Sequence, residues 1–148
     1  MLRILVKNIS YSILFFSVLV YAEDIEKLKE KYAEIIMTCA KDYPITPEDI
    51  EQLKNSKMPD NAKCLFACAY KTSGMMDDQG KLSVEGVNKL AHTFLSEDPE
   101  RLKKAEQFTD ACKSVNEEKV SDGDKGCERA ALIFKCSIEK APQFDFIM

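Results

Sequence analysis

The sequence contains no tryptophan and only one histidine, His92. One histidine leaves little material for acid–base catalysis, and His92 stands far from any cysteine. A secreted phospholipase would place its histidine beside adjacent cysteines on a helix, so the position of His92 argues against that class of enzyme. No stretch alternates apolar and polar residues as a half-buried strand would. No internal repeat and no low-complexity segment interrupts the chain, which predicts an ordinary globular domain without strands.

Long apolar runs are also scarce, and the one present spans residues 13–20. It is too short for a comfortable membrane span. Arg3 and Lys7 precede it, and Val20-Tyr21-Ala22 ends it with small or β-branched residues at the −3 and −1 positions. This layout is typical of a cleaved secretory signal, with an uncleaved anchor as the alternative. We expect a signal peptide at residues 1–22 and a single secreted, extracellular domain at residues 23–148.

A basic surplus is missing as well. Arg3 and Lys7 are the only charged residues before Glu23, so the 21 Lys+Arg and 25 Asp+Glu of the whole chain become 19 and 25. The net charge thereby changes from −4 to −6. An acidic domain is a poor partner for nucleic acid or for an anionic membrane surface. We therefore expect no nucleic-acid partner, and the lack of a second long apolar run predicts no membrane insertion.

Cysteine is the residue type that is well represented. The six cysteines are separated by 24, 3, 43, 14 and 8 residues; they are Cys39, Cys64, Cys68, Cys112, Cys127 and Cys136. An even number in an oxidising compartment predicts three disulfides, in any of fifteen pairings. Cys64 and Cys68 lie one turn apart on a helix, so they either bind a metal or bond to two distant partners. The lack of a Cys-x-x-Cys pair and the single histidine argue against zinc.

The remaining candidates for chemistry are weak. With every cysteine bridged, no thiol nucleophile remains. The acidic stretches at residues 77–80 and 121–124 lack the twelve-residue ligand pattern of a calcium loop. We therefore expect no catalytic residue, no metal and no cofactor, and we interpret the protein as a non-enzyme.

Apolar residues recur at intervals of three and four along the mature chain, which predicts about six short helices. We place them at about 23–40, 47–54, 61–72, 84–95, 99–115 and 125–139. Thr46, Asp60, Ser83 and Asp98 are the predicted N-caps, and Gly80 is expected in an exposed turn. The apolar tail at residues 143–148 is expected to fold back and bury itself, since free termini are normally polar.

Two interpretations of the interior follow from the residues. Short helices tied by disulfides can pack at varied angles around a void, which Met58, Met75 and Met76 would line adaptably. A solid packed core is the simpler alternative, and composition alone favours it.

The cysteine series resembles that of the insect odorant-binding proteins, in their general or pheromone-binding-protein-related six-cysteine branch. Cys64-x3-Cys68 and Cys127-x8-Cys136 match the family's two fixed spacings, while the gap between Cys112 and Cys127 is at the long end of its range. The resemblance covers the whole mature chain. It implies six helices around an apolar cavity and the interlocked disulfides Cys39–Cys68, Cys64–Cys127 and Cys112–Cys136.

The resemblance also implies a function. An extracellular carrier would bind small hydrophobic molecules, volatile or lipid-like odorants or pheromones, and transport them through aqueous lymph, the sensillum lymph if the role is olfactory. Pocket positions transferred by offset from the cysteines are Ile35, Phe66, Tyr70, Met75, Leu82, Phe94, Phe108, Ala130, Phe134, Phe146 and Ile147. A core-packing role is the alternative for each, and Tyr70 is the residue expected to offer a ligand a hydrogen bond.

Family members with a long C-terminus use it as one wall of the pocket. By that resemblance, Asp145 and the terminal carboxylate would lie against apolar surface, and their protonation at low pH would loosen the tail and lower ligand affinity. Other functions stay open: a non-olfactory carrier of a lipid or hormone, or a disulfide scaffold that binds another protein. The sequence does not decide whether a homodimer forms or whether an olfactory receptor contacts the protein.

Overall fold

Six α-helices account for most of the computed structural model, which describes residues 26–145. The helices are α1 (26–39), α2 (Pro47–Lys54), α3 (Ala62–Ser73), α4 (Val84–Leu95), α5 (Pro99–Cys112) and α6 (Cys127–Lys140). Three 3-10 turns follow α5, precede α6 and follow α6, at Lys113–Glu117, Gly123–Lys125 and Ala141–Phe144. Within residues 26–145 the only β-pairing is an isolated antiparallel bridge between Met76 and Leu82. The predicted all-α fold class is confirmed.

Three of the predicted N-caps are confirmed by their hydrogen bonds. The Thr46 hydroxyl accepts from the backbone N–H of Asp49 at 3.1 Å, and the Asp49 carboxylate accepts from that of Thr46 at 2.8 Å. This reciprocal pair satisfies two backbone donors that the first turn of α2 leaves free. Ser83 and Asp98 likewise each accept from the N–H three residues on, at 3.0 Å.

The fourth predicted cap is wrong. Asn61, not Asp60, is the residue that precedes α3, and its side chain makes no capping hydrogen bond. Asp60 instead pairs with Lys63 at 2.6 Å, while the Asn61 amide donates to Asp49 at 3.4 Å. The start of α3 is therefore tied to α2 through Asp49, whose pKa is lowered mainly by the backbone hydrogen bond from Thr46.

Two further details of the chain differ from the prediction. The fifth helix changes to a 3-10 turn after Cys112, and the sixth begins at Cys127 because Gly126 has a left-handed backbone, with φ 75°. Gly80 is buried, not exposed. A Cβ there would lie 3.1 Å from the carbonyl oxygens of Gly123 and Asp124. The close approach of these two loops, which periodicity cannot reveal, is what requires glycine at residue 80.

The three disulfides have the interlocked pairing that the family resemblance implied. Cys39–Cys68 joins the end of α1 to α3, Cys64–Cys127 joins α3 to the start of α6, and Cys112–Cys136 joins the end of α5 to α6. The helices also pack in pairs, with α3 against α6, α4 against α5 and α5 against α6. Helix α3 is thus bonded to both α1 and α6, and α6 connects it to α5.

Buried residues form two clusters. The larger, which we call the main cluster, lies between α3, α6 and the segments that join α3 to α4 and α5 to α6; it consists of Ala67, Tyr70, Met76, Leu82, Cys112, Val115, Ala130 and Ile133. The smaller cluster consists of Cys39, Leu65 and Ala69, and it joins α1 to the opposite side of α3.

Candidate functional site

Nine of the eleven predicted pocket residues lie in the described part of the chain, and Phe146 and Ile147 fall outside it. Tyr70, Leu82 and Ala130 are members of the main cluster, and Phe66, Met75 and Phe108 pack against it. Phe134 is connected through Phe66, whose ring centroid lies 5.5 Å away in an edge-to-face contact. The structure thus brings seven predicted residues, from four separate parts of the chain, to one place.

Exposure divides this group in two. Tyr70, Leu82, Ala130 and Phe134 are buried, whereas Phe66, Met75 and Phe108 are only half-buried. The ring of Phe66 bridges the two sets, with edge-to-face contacts to Tyr70 at 5.9 Å and to Phe134 at 5.5 Å. The buried members therefore form the packed base of an aromatic surface, and the half-buried members lie on its accessible side.

Ile35 and Phe94 are placed elsewhere. Ile35 packs against the smaller cluster on the α1 side of α3. Phe94, on α4, has the Lys31 ammonium 6.0 Å from its ring centroid, which is a cation–π contact between α4 and α1. Transfer of these two positions by offset from the cysteines does not bring them into the main cluster.

A small polar group lies at the edge of the aromatic surface. The Tyr32 hydroxyl donates to the Met75 sulfur at 2.6 Å. Burial raises the pKa of Tyr32, an effect that a hydrogen bond with Ser73 partly opposes. Burial also raises the pKa of Tyr70, and the nearby Tyr32 adds to that rise. Both phenols therefore stay protonated at physiological pH and can donate. The sequence pattern placed Tyr32 in the apolar stripe of α1 and gave no sign of this polar role.

The apolar face of α4 has an unusual degree of exposure. Its apolar residues recur at helical spacing and are all half-buried: Val84, Val87, Leu90, Ala91, Phe94 and Leu95. No residue of this twelve-residue helix is buried. Val87 packs against the main cluster, so the face is directed inward. The apolar face of α4 therefore contacts the main cluster without being fully covered by it.

The end of the described chain contacts the same region. The Phe144 ring lies 5.8 Å from Phe108, edge to face, in the 3-10 turn that follows α6. Asp145 does not lie against apolar surface as expected: its side chain is 78% exposed and pairs with the Lys104 ammonium at 2.8 Å. The hydrogen bond from Lys104 lowers the pKa of Asp145. The expectation for Asp145 was wrong because α5 presents a cation at this place.

A surface cleft of about 490 Å³ lies on another part of the molecule. It is bordered by Tyr43, Cys64, Ala67, Cys68, Lys71, Asp78, Asp124, Lys125 and Cys127, none of which is a predicted pocket residue. Its charged rim does not suit an apolar molecule. Among the described residues, no cluster of three or more histidines, cysteines or acids could hold a metal. Nor is any helix in residues 26–145 long and apolar enough to cross a membrane.

Comparison with known proteins agrees with this geometry. General odorant-binding protein 28a of Drosophila melanogaster is 29% identical over 127 residues, which cover 84% of this chain and 85% of that protein. General odorant-binding protein 19d of the same species is 28% identical over 114 residues, or 76% and 73% of the two chains. The solved structure of odorant-binding protein dmelOBP28a superposes with a TM-score of 0.63 and 25% identity, covering 82% of this chain and 98% of that one. The PBP/GOBP family profile matches residues 22–140. This chain therefore belongs to the PBP/GOBP family, the insect odorant-binding proteins that its cysteine spacing resembles.

Proposed function

We propose that this protein is an extracellular carrier that binds a small hydrophobic molecule between the aromatic surface of the main cluster and the apolar face of α4, and transports it through aqueous lymph. Membership of the PBP/GOBP family supports a carrier of small hydrophobic ligands. The names of the two Drosophila relatives point to odorants as the ligand class. No group with the arrangement of a catalytic centre lies in the proposed site, and carriage requires no covalent step.

The observation that carries the proposal is the half-buried apolar face of α4, whose Val87 packs against the same main cluster as half-buried Phe66 and Phe108. Apolar atoms that are still accessible to water stabilise a complex when a ligand covers them, because both apolar surfaces are then removed from water. Each buried methylene stabilises a complex by about 0.8 kcal/mol. A chain of about ten carbons thus gains about 8 kcal/mol before entropic costs, so micromolar affinity is the upper limit for a ligand of this length.

Tyr70 supplies the polar end that the sequence predicted. Its side chain is 7% exposed, and its hydroxyl takes part in none of the hydrogen bonds between described residues. Because burial keeps the phenol protonated, Tyr70 would donate to an oxygen of the ligand. Ligands with a carbonyl, ether or hydroxyl oxygen are therefore expected to bind more tightly than hydrocarbons of equal length.

Displacement of a fluorescent apolar probe tests the proposal. The refolded, oxidised protein lacking residues 1–22 is titrated with N-phenyl-1-naphthylamine, and volatiles and fatty acids then compete for it. We expect probe uptake and micromolar displacement by some competitors. Tyr70→Phe should reduce affinity for oxygenated ligands and leave that for hydrocarbons unchanged, which makes this variant its own matched control.

A folded and fully bridged protein that takes up no probe would contradict the carrier function. That result would favour a disulfide scaffold that binds another protein through its surface. Uptake that Tyr70→Phe leaves unaltered for every ligand would keep the carrier function and exclude the role of Tyr70. Comparison of the tissues that express the protein separates an olfactory carrier from a non-olfactory one.

A further inference from the structure

An asparagine lies at one edge of the apolar face of α4, next to Leu95 on one side and to exposed His92 on the other. Asn88 follows Val84 by four residues and precedes Ala91 and Leu95 by three and seven, so all three apolar residues lie on its own side of the helix. At this spacing an apolar side chain is the expected choice. A polar residue here costs stability unless its polar atoms find partners, because water cannot reach them freely.

The Asn88 side chain finds no such partner in residues 26–145. Its Oδ1 is buried, and neither amide atom makes a hydrogen bond with another described residue. Two other buried side-chain atoms share this property, Asp122 Oδ1 and Arg129 Nε. Both of those side chains are nevertheless anchored through their other atoms: the Asp122 carboxylate accepts from Glu128 N–H at 3.0 Å, and Arg129 donates to the Glu118 carbonyl at 2.8 Å. Asn88 differs because neither of its amide atoms makes a hydrogen bond to another residue in the range 26–145, and its Oδ1 is buried.

The neighbours of Asn88 show where its side chain is directed. On one side, Val87 packs against the main cluster. On the other, His92 pairs with Glu106 of α5 at 3.0 Å. Asn88 lies between these two positions around the helix axis, nearer to His92, so its buried Oδ1 is on the side of α4 where the main cluster borders α5. This is the region in which the proposed function places the ligand.

We propose that the Asn88 amide is a polar anchor of the ligand site and accepts a hydrogen bond from a neutral O–H group of the ligand. The inference rests on the proposed carrier function and narrows its ligand class to apolar molecules with one hydroxyl, alcohols or phenols. Tyr70 donates, so it serves any ligand oxygen. A buried carbonyl acceptor instead increases the affinity only of a ligand that can itself donate a hydrogen bond. It lowers the affinity of a ligand that leaves the acceptor unpaired.

Two isomers separate these cases. 1-Nonanol and methyl octyl ether have the same atoms and similar length, and both accept hydrogen bonds, but only the alcohol donates. The ratio of their dissociation constants is measured by displacement of N-phenyl-1-naphthylamine from the wild-type protein and from Asn88→Leu, which is close in volume but apolar. Since the cost of removing each ligand from water is the same for both proteins, the change in the ratio reports the Asn88 contact alone.

We expect the preference for the alcohol to fall by about fivefold to tenfold in Asn88→Leu, as one net hydrogen bond provides. Asn88→Ala should lose the same preference for the alcohol. Because alanine is smaller than asparagine, this variant excludes steric clash of the leucine as the cause. Thr109→Val is the matched control: Thr109 is a buried polar residue whose hydroxyl already donates to the Ala105 carbonyl at 2.9 Å, unlike the unpaired Oδ1 of Asn88. This control should keep the wild-type ratio.

Thermal unfolding of the ligand-free proteins completes the test. Because the buried Oδ1 is unpaired, Asn88→Leu should raise the melting midpoint. A lower midpoint together with an unchanged ligand ratio would overturn the inference, since Asn88 would then be a structural residue bonded within the chain. Equal ratios of the two dissociation constants in the wild type and both Asn88 variants would overturn the Asn88 inference and leave the carrier function standing. A wild-type protein that takes up no probe would contradict the carrier function itself.

Discussion

Removal of the Cys64–Cys127 disulfide is expected to cost a large share of the stability of this domain. The bridge joins two residues that are 63 apart in sequence, against 29 for Cys39–Cys68 and 24 for Cys112–Cys136. In the chain-entropy description, a loop of that length stabilises by about 4 kcal/mol, and each shorter loop by about 3.5 kcal/mol. Small domains have only about 5–15 kcal/mol in total.

Cys64 and Cys127 are suited to this experiment because both are half-buried. Replacement of both by alanine therefore leaves little cavity, and the measured loss reports the cross-link itself. We expect the free energy of unfolding in urea, followed by circular dichroism, to fall by about 4 kcal/mol. The dependence on urea should steepen, because the unfolded chain expands once the loop is opened.

Replacement of the same two cysteines by serine is the control, and it should give a similar loss if the cross-link is what matters. A loss below about 1 kcal/mol in both variants would refute the reasoning. Packing of α3 against α6 would then be sufficient to hold these helices together, and the frame around the proposed ligand site would not depend on the bridge.

Three further predictions concern single side chains. Leu65→Ala, at a fully buried position, should cost about 2–5 kcal/mol in urea unfolding, whereas half-buried Phe66→Ala should cost less and improve binding of bulkier ligands; the reverse order would place Phe66 in a solid core. Arg129→Met should lower stability by about 1–3 kcal/mol, because it leaves the buried Val115 carbonyl without the hydrogen bond that Arg129 donates; an unchanged urea midpoint would contradict this. The Asp145–Lys104 pair should persist at pH 5 and be lost only as the pH falls through the lowered pKa of Asp145; carboxyl NMR of wild type and Lys104→Met should show a higher pKa in the variant, and equal values would exclude the pairing.

The direction of the Asp145 pKa shift argues against the low-pH release mechanism that the sequence of the tail suggested. A carboxyl held against apolar surface would have a raised pKa and would protonate near pH 5. The exposed, ion-paired Asp145 has a lowered pKa instead. Release of a ligand at pH 5 through protonation of Asp145 is therefore not expected.

Periodicity and caps predicted the helices well, because each helix is a local pattern. Thr46, Ser83 and Asp98 begin helices through contacts with residues only three positions away. The predicted cap at Asp60 is wrong because the Asp60 carboxylate pairs with the Lys63 ammonium and not with a backbone N–H. The prediction of an exposed turn at Gly80 is wrong because a loop more than forty residues away in sequence covers this glycine.

The site was predictable only in part, for the same reason. Phe66 and Tyr70, chosen by their offsets from the cysteines, lie at one cluster because both are on α3 beside its two disulfides; their role as pocket residues stays a prediction. Asn88 and Tyr32 were missed, although Asn88 had a visible signal as a polar residue that borders an apolar stripe. The polar role of Tyr32 depends on Met75, which is 43 positions away, and no local pattern contains that contact.

The most direct test of the account is to locate a bound ligand by isotope-filtered NMR. Labelled protein with unlabelled 1-nonanol should give intermolecular NOEs from the alkyl chain to Phe66, Val87 and Phe108. Such NOEs would place the ligand between the main cluster and α4. NOEs to Tyr43 in the charged surface cleft, with none to those three residues, would contradict the account.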